Sequence, residues 1–179
     1  MHRAVPPAVP ALVLRIAKER QFSRIVTWSE SALGLPHLLG DLRATGLEVQ
    51  DGSPSIDGPM TPEMIRGLRR QLDRAEIGLT GVDYAIAESG SLVLLSGPGK
   101  GRLVSCLPIV HIALLRPGLL VSSLDEVGVF LEATQQLSPP GNAPSGITFI
   151  TGPSRTADIE LSLTRGVHGP KEVHVIALA

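Results

Sequence analysis

The chain has 179 residues, 43% of them apolar and 18% charged, a balance that suits a globular fold of one domain and excludes wholesale disorder. Sixteen basic residues stand against seventeen acidic ones, so no overall field draws the chain to nucleic acid or an acidic membrane. Aromatic residues are few (three Phe, one Tyr, one Trp), which leaves an aliphatic core and no expected stacking surface for single-stranded nucleic acid.

The N-terminal segment 1–22 reads as a loose tail over residues 1–9 followed by a short helix from Pro10 to Gln21, with proline in its opening turn. Pro6, Pro7 and Pro10 interrupt the apolar residues, Arg15, Lys18, Glu19 and Arg20 follow, and no small-residue cleavage site appears. No signal peptide is read there, and a cytoplasmic location is expected. Residues 23–179 read as a single α/β domain. Ile25 to Trp28 is β-branched and aromatic, as in a strand. Leu47 to Val49 is a weaker strand, and DGSPSIDGP (51–59) is a loop. Thr61-Pro62-Glu63-Met64 opens a helix that runs to about Ala75, with Thr as cap and Pro at the first position.

The second half is more sharply punctuated. Tyr84–Ala87 and Leu92–Leu95 read as short strands joined by Glu88-Ser89-Gly90-Ser91, and SGPGKGR (96–102) is a turn-rich loop. Ile109–Leu115 and Gly118–Val121 read as strands. Ser122 or Ser123 caps a helix to about Gln135, and Ile147–Ile150 is a strand. Thr156 to about Thr164 reads as a short helix, and Glu172–Leu178 as a final strand. The strands are continuous apolar runs, the mark of strands covered on both faces. Strands interleaved with helices predict an α/β layered fold with a largely parallel sheet and flanking helices. The longest apolar run, Ile109–Leu115, holds His111 and falls far short of the ~20 residues that span a membrane.

Three stretches have the residue types for chemistry. Strand 147–150 runs into Gly152-Pro153-Ser154-Arg155-Thr156. If a helix starts there, its free N–H groups, the hydroxyls of Ser154 and Thr156 and the Arg155 fork make an anion site; the plain alternative is an ordinary strand–turn–helix. Glu88 sits among small residues at a tight turn, where Gly90 leaves room for a substrate or for a positive φ. It reads as a nucleophile or general base if poorly solvated, and otherwise as a carboxylate at a wet hairpin tip. Gly97, Gly99 and Gly101 with Lys100 and Arg102 suggest a phosphate cradle, or a solvated turn. His111 lies inside an apolar run, where core packing is the commoner role, whereas His168 lies in a turn where its ring is available. The single Cys106 excludes an intrachain disulfide, a four-cysteine zinc site and an iron–sulfur cluster held by this chain alone. No cofactor or metal is expected.

Taken together, VDYAIAESGSLVLL (82–95), GRLVSCLPIVHIALL (101–115) and TGPSRTADIELSLTRGVHGPKEVHVIAL (151–178) resemble the LUD domain, the family of lactate-utilisation protein C and its relatives. The likeness covers 77–178, and Ala87-Glu88-Ser89-Gly90-Ser91 replaces the family's Ala-Glu-Thr-Gly-Thr with both hydroxyls kept. The resemblance implies a fold similar to that of ribose-5-phosphate isomerase, glucosamine-6-phosphate deaminase and the CoA transferases. It also implies a part in oxidising L-lactate to pyruvate beside separate iron–sulfur proteins. Glu88 followed by Gly90 resembles the Glu-x-Gly of CoA transferases, whose Glu attacks a thioester. The resemblance implies a ligand site built from Glu88, Gly90, Arg102, His111, Gly152, Ser154, Arg155, Thr156 and His168. A small anionic metabolite and the iron–sulfur proteins are the expected partners. The alternatives are a free-standing enzyme on a CoA ester or sugar phosphate that uses Glu88, or an interaction module without chemistry.

Overall fold

The computed structural model describes residues 1–53, 60–138, 143–153, 155–157, 163–165 and 169–179, with the backbone alone described for 155–157 and 163–165. Six parallel strands form the main sheet: β1 (His2–Ala4), β2 (Arg24–Thr27), β3 (Glu48–Asp51), β4 (Ile77–Gly81), β7 (Val110–Leu115) and β12 (Glu172–Leu178), in the order β1-β12-β7-β4-β2-β3. The apolar runs at its centre are buried on both faces: Ile77 and Leu79 of β4, and Val110, Ile112 and Leu114 of β7, expose no surface.

Helices cover this sheet. In α1 (Val9–Glu19), Val9, Val13, Ile16 and Ala17 are buried at helical spacing and join the core. The short α2 (Glu30–Leu33) and α3 (Leu38–Ala44) contribute Leu33, Leu38, Leu39 and Leu42. In α4 (Pro62–Arg74), the Thr61 hydroxyl accepts from the Met64 N–H at 3.3 Å, the cap that the sequence predicts. The one-turn α5 (Leu103–Cys106) lies directly on β4, because Gly78 has no side chain there: a Cβ on Gly78 would stand 1.9 Å from the Val104 carbonyl oxygen.

A second, smaller sheet has the order β8-β5-β6-β9, from β5 (Tyr84–Ile86), β6 (Ser91–Ser96), β8 (Leu120–Val121) and β9 (Gly146–Ile150). Its pairings are antiparallel except β5 with β8. It was not foreseen as a separate layer. Packed against it, α6 (Leu124–Leu137) seats Val127 over Ile86, Val93 and Val121.

Two sequence expectations need correction. Residues 2–4 do not form a loose tail: they pair in parallel with β12, His2 opposite Ile176. In the stretch from Thr156 to Thr164, the described residues are strand and not helix. Residues Arg155–Ala157 form β10, which pairs antiparallel with β11 (Leu163–Arg165). Thr suits a strand as well as a helix start, and the pairing selects the strand.

His111 shares the Gly78 and Thr80 face of the sheet and has no exposed surface. Its Nε2 lies 2.8 Å from the Thr80 hydroxyl, and Nδ1 has no partner. Its place in a ligand site is therefore corrected to a place in the core, since no atom of the ring reaches the surface. Burial without a charged partner pushes its pKa down to about 4 from 6.5. The folded state keeps the ring neutral where the unfolded chain takes up a proton. Stability from this group is thus complete above pH 6.5 and is lost as the pH falls through about 4. The expected loss is roughly 3 kcal/mol. Urea unfolding at the two pH values checks it, the His111→Gln variant showing a smaller difference than the parent. Gly78→Ala is expected to destabilise the protein by at least about 3 kcal/mol, because a backbone carbonyl, not a movable side-chain end, blocks the new methyl; thermal unfolding measures it.

Candidate functional site

Counted in chain order, β2, β3, β4, β7 and β12 lie in the order 2-1-3-4-5, with β1 added outside β12. In such sheets ligands gather beyond the carboxyl ends of the strands, at the point where the connections diverge. Here that point lies between β2 and β4, and the glycine loop that follows β6 closes it. The Ser29 N–H donates to the Gly99 carbonyl at 3.0 Å, the Trp28 Nε1–H to the Gly101 carbonyl at 3.2 Å, and the Gly101 N–H to the Ser53 hydroxyl at 2.7 Å. A Cβ on Gly101 would stand 2.6 Å from that hydroxyl. Gly101 thus serves close packing on the switch point, and its backbone N–H is spent within the protein.

Lys100 turns back from this loop. Its Nζ lies 2.5 Å from Asp83 Oδ1 and 5.5 Å from the centre of the Trp28 ring, while Asp83 Oδ2 accepts from the Leu95 N–H at 2.8 Å. Asp83 is mostly buried and Lys100 about one-third exposed. Next to this pair is a cleft of 370 Å³ between the carboxyl end of the main sheet and the small sheet, lined among others by Asp83, Tyr84, Lys100, Arg116 and Thr134. Arg116 directly follows β7, is exposed, and makes no ion pair among the described residues. Its guanidinium passes over Gly34, where a Cβ would come within 2.6 Å of Nη1 and the backbone has φ +68°. Among the described residues the cleft thus has one neutralised cation and one without an acidic partner, a set suited to a single carboxylate or phosphate.

The residues predicted from sequence divide into separate groups. Glu88 and Gly90 occupy the turn between β5 and β6, both exposed, with Gly90 at φ +66° as its position requires. The Glu88 N–H donates to the Ser122 carbonyl at 3.1 Å, and the Gly90 N–H to the Ile86 carbonyl at 2.9 Å. Ser89, Ser91 and Thr151 form a chain of hydroxyls, each link 2.7 Å, which ties the turn to the end of β9 beside Gly152. The Glu88 turn is thus joined to Thr151 through Ser91; the Arg155 and Thr156 side chains, expected in one pocket with Glu88, are outside those described. The Glu88 carboxylate faces solvent, however, and has no protein partner among the described residues. Poor solvation as a source of its reactivity is therefore not found.

Arg102 lies at the other end of β6, exposed at the start of α5. The six residues of β6 separate its end from the Glu88 end by roughly 17 Å. Arg155 and Thr156 belong to the backbone of β10, not to a helix N-terminus, so the dipole argument for an anion there lapses. Ser154 and His168 lie outside the described residues. Sequence reasoning missed Arg116. The signal that points to it is its position, the first residue past a fully buried central strand.

A family model, the LUD domain, matches residues 6–178. The lactate utilization protein C of Halalkalibacterium halodurans is 36% identical over 155 residues, a match that covers 87% of this chain and 62% of that protein. The lactate utilization protein C of a Geobacillus species (strain WCH70) is 42% identical over 113 residues, 62% of this chain and 46% of that protein. The chain thus spans about half to three-fifths of the length of the curated relatives it matches. Among solved structures, a DUF162 family protein from Deinococcus radiodurans superposes with a TM-score of 0.64 at 21% identity, covering all of this chain and 87% of that one, a likeness of fold. With the family model matched over nearly its whole length, the chain belongs to the LUD domain family.

Proposed function

We propose that the chain is a component of a system that oxidises L-lactate to pyruvate, and that it binds a small carboxylate anion in the cleft beside Lys100 and Arg116. The name of its relatives, lactate utilization protein C, supports the pathway. The observation that carries the ligand class is the free guanidinium of Arg116 across a cleft from the Lys100–Asp83 pair, at the carboxyl end of a parallel sheet. The carboxylate lies against Arg116 in a two-point contact, and Lys100, held by Asp83 and the Trp28 ring, adds positive potential without leaving its ion pair. The chain's one cysteine cannot hold an iron–sulfur cluster alone, so electrons pass through separate iron–sulfur proteins, which are its partners in this reading.

A second reading draws on the Glu88 turn. Hydrogen bonds from the Glu88 and Gly90 N–H groups and through the Ser89, Ser91 and Thr151 hydroxyls fix it, and the carboxylate at its tip has no partner among the described residues. That arrangement suits a nucleophile or base acting on a CoA ester or sugar phosphate, with Ser154, Arg155 and Thr156 as further ligand-binding residues, whereas Arg102 stands at the far end of β6.

The two readings separate experimentally. Calorimetric titration with L-lactate or pyruvate is expected to show binding that weakens about tenfold or more in Arg116→Ala and is unchanged in Glu88→Gln. Deletion of the gene is expected to slow growth on L-lactate, with iron–sulfur proteins recovered alongside the tagged chain. Normal growth without such partners overturns the first reading. Loss of function in Glu88→Gln with carboxylate binding intact supports the second.

A further inference from the structure

At the opposite edge of the main sheet, where the parallel strands begin, α4 stands away from β2 and β3 and leaves a cleft of 340 Å³. The side facing it is one stripe of the helix, Gly67, Arg70, Gln71 and Arg74, spaced three and four residues apart. Across from this stripe lie Arg24, Glu48 and Gln50 of the strands. The charges there are unequal in their freedom. Arg24 is neutralised: its Nη2 donates to Glu76 Oε1 at 2.9 Å, and the other Glu76 oxygen accepts the N–H groups of Ser23 and Arg24. The Glu48 carboxylate accepts from Gln50 Nε2 at 2.9 Å. Arg70 and Arg74 make no ion pair among the described residues.

Gly67 is the second observation. It is an interior residue of a helix of 13, where glycine weakens the helix relative to alanine. Packing does not demand it, because a Cβ there would meet nothing within 4 Å. The other helix-interior glycines with open space, Gly40 and Gly128, are exposed, whereas Gly67 is half-buried and lines the cleft. Leaving the side chain out keeps the helix backbone open to whatever enters.

We infer that this cleft is a second anion site, for a phosphorylated small molecule. One phosphate bridges Arg70 and Arg74, the remainder of the molecule lies against the bare backbone at Gly67, and the Gln50 and Gln71 amides meet its polar groups. Two adjacent guanidiniums without carboxylate partners match the doubly charged, multi-oxygen phosphate better than a single carboxylate. A volume of 340 Å³ suits a small metabolite.

Inorganic pyrophosphate is the probe, titrated into the full chain by calorimetry and by thermal shift. Binding at millimolar concentration or tighter is expected, weakened about tenfold or more in the Arg70→Ala/Arg74→Ala double variant and retained in Arg116→Ala, which alters the other cleft. Gly67→Ala is expected to raise the melting temperature of the free protein and to weaken pyrophosphate binding, a combination that a purely structural glycine would not produce. Three results would each overturn the inference: no binding at millimolar pyrophosphate, equal binding by the parent and the double variant, or an equal loss in Arg66→Ala/Arg69→Ala, which would mean diffuse attraction to a basic helix.

Discussion

Val104 is the wedge on which the architecture depends. It has no exposed surface, and it is pressed against two residues without side chains: a Cβ on Gly52 would lie 2.9 Å from its Cγ2, and one on Gly78 would lie 1.9 Å from its carbonyl oxygen. Val104 belongs to α5, and α5 begins directly after the glycine loop. Seating this one residue therefore sets the height of the loop over the ends of β2 and β4. The bonds from Ser29, Trp28 and Ser53 to Gly99 and Gly101 then close the switch point. A close backbone approach in the core, which glycine alone permits, is thus passed along six residues of chain to the wall of the candidate ligand cleft.

The same contact explains which parts of the fold the sequence disclosed. Strands built from branched and aliphatic residues, such as β2, β6, β7 and β12, stand out as apolar runs, and α4 is marked by its Thr-Pro-Glu opening. The central strand β4 does not stand out. Its sequence, Ile-Gly-Leu-Thr-Gly, looks like a turn, because the glycine needed for α5 to approach is also the residue that signals loops. The error at 155–165 has a different origin. A hydroxyl residue such as Thr156 suits both a helix start and a strand, and only the pairing of β10 with β11 selects the second.

The candidate site was legible in its materials but not in its layout. Glu88, Gly90, Gly152 and Arg102 are all at the surface, and a hydrogen bond joins Ser91 to Thr151. What the sequence could not convey is that β6 is a spacer. It places the acidic turn at one end of the small sheet and the basic loop at the other, so residues close in sequence and similar in promise serve different places. His111, attractive as a lone histidine, is buried and bonds to Thr80 in the core. Arg116 drew no notice in the sequence, as a charge before a proline, yet the end of β7 carries it to the cleft.

The pairing of β1 with β12 has its own consequence. β1 has no neighbour except β12, and β12 lies between β1 and β7; the Ala179 N–H also donates to the Ala4 carbonyl at 3.1 Å. β1 and β12 are therefore stitched to each other, and among the described residues β1 rests on β12 alone. A three-residue strand held on one side is the part of the sheet whose backbone amides are expected to open most readily to hydrogen exchange.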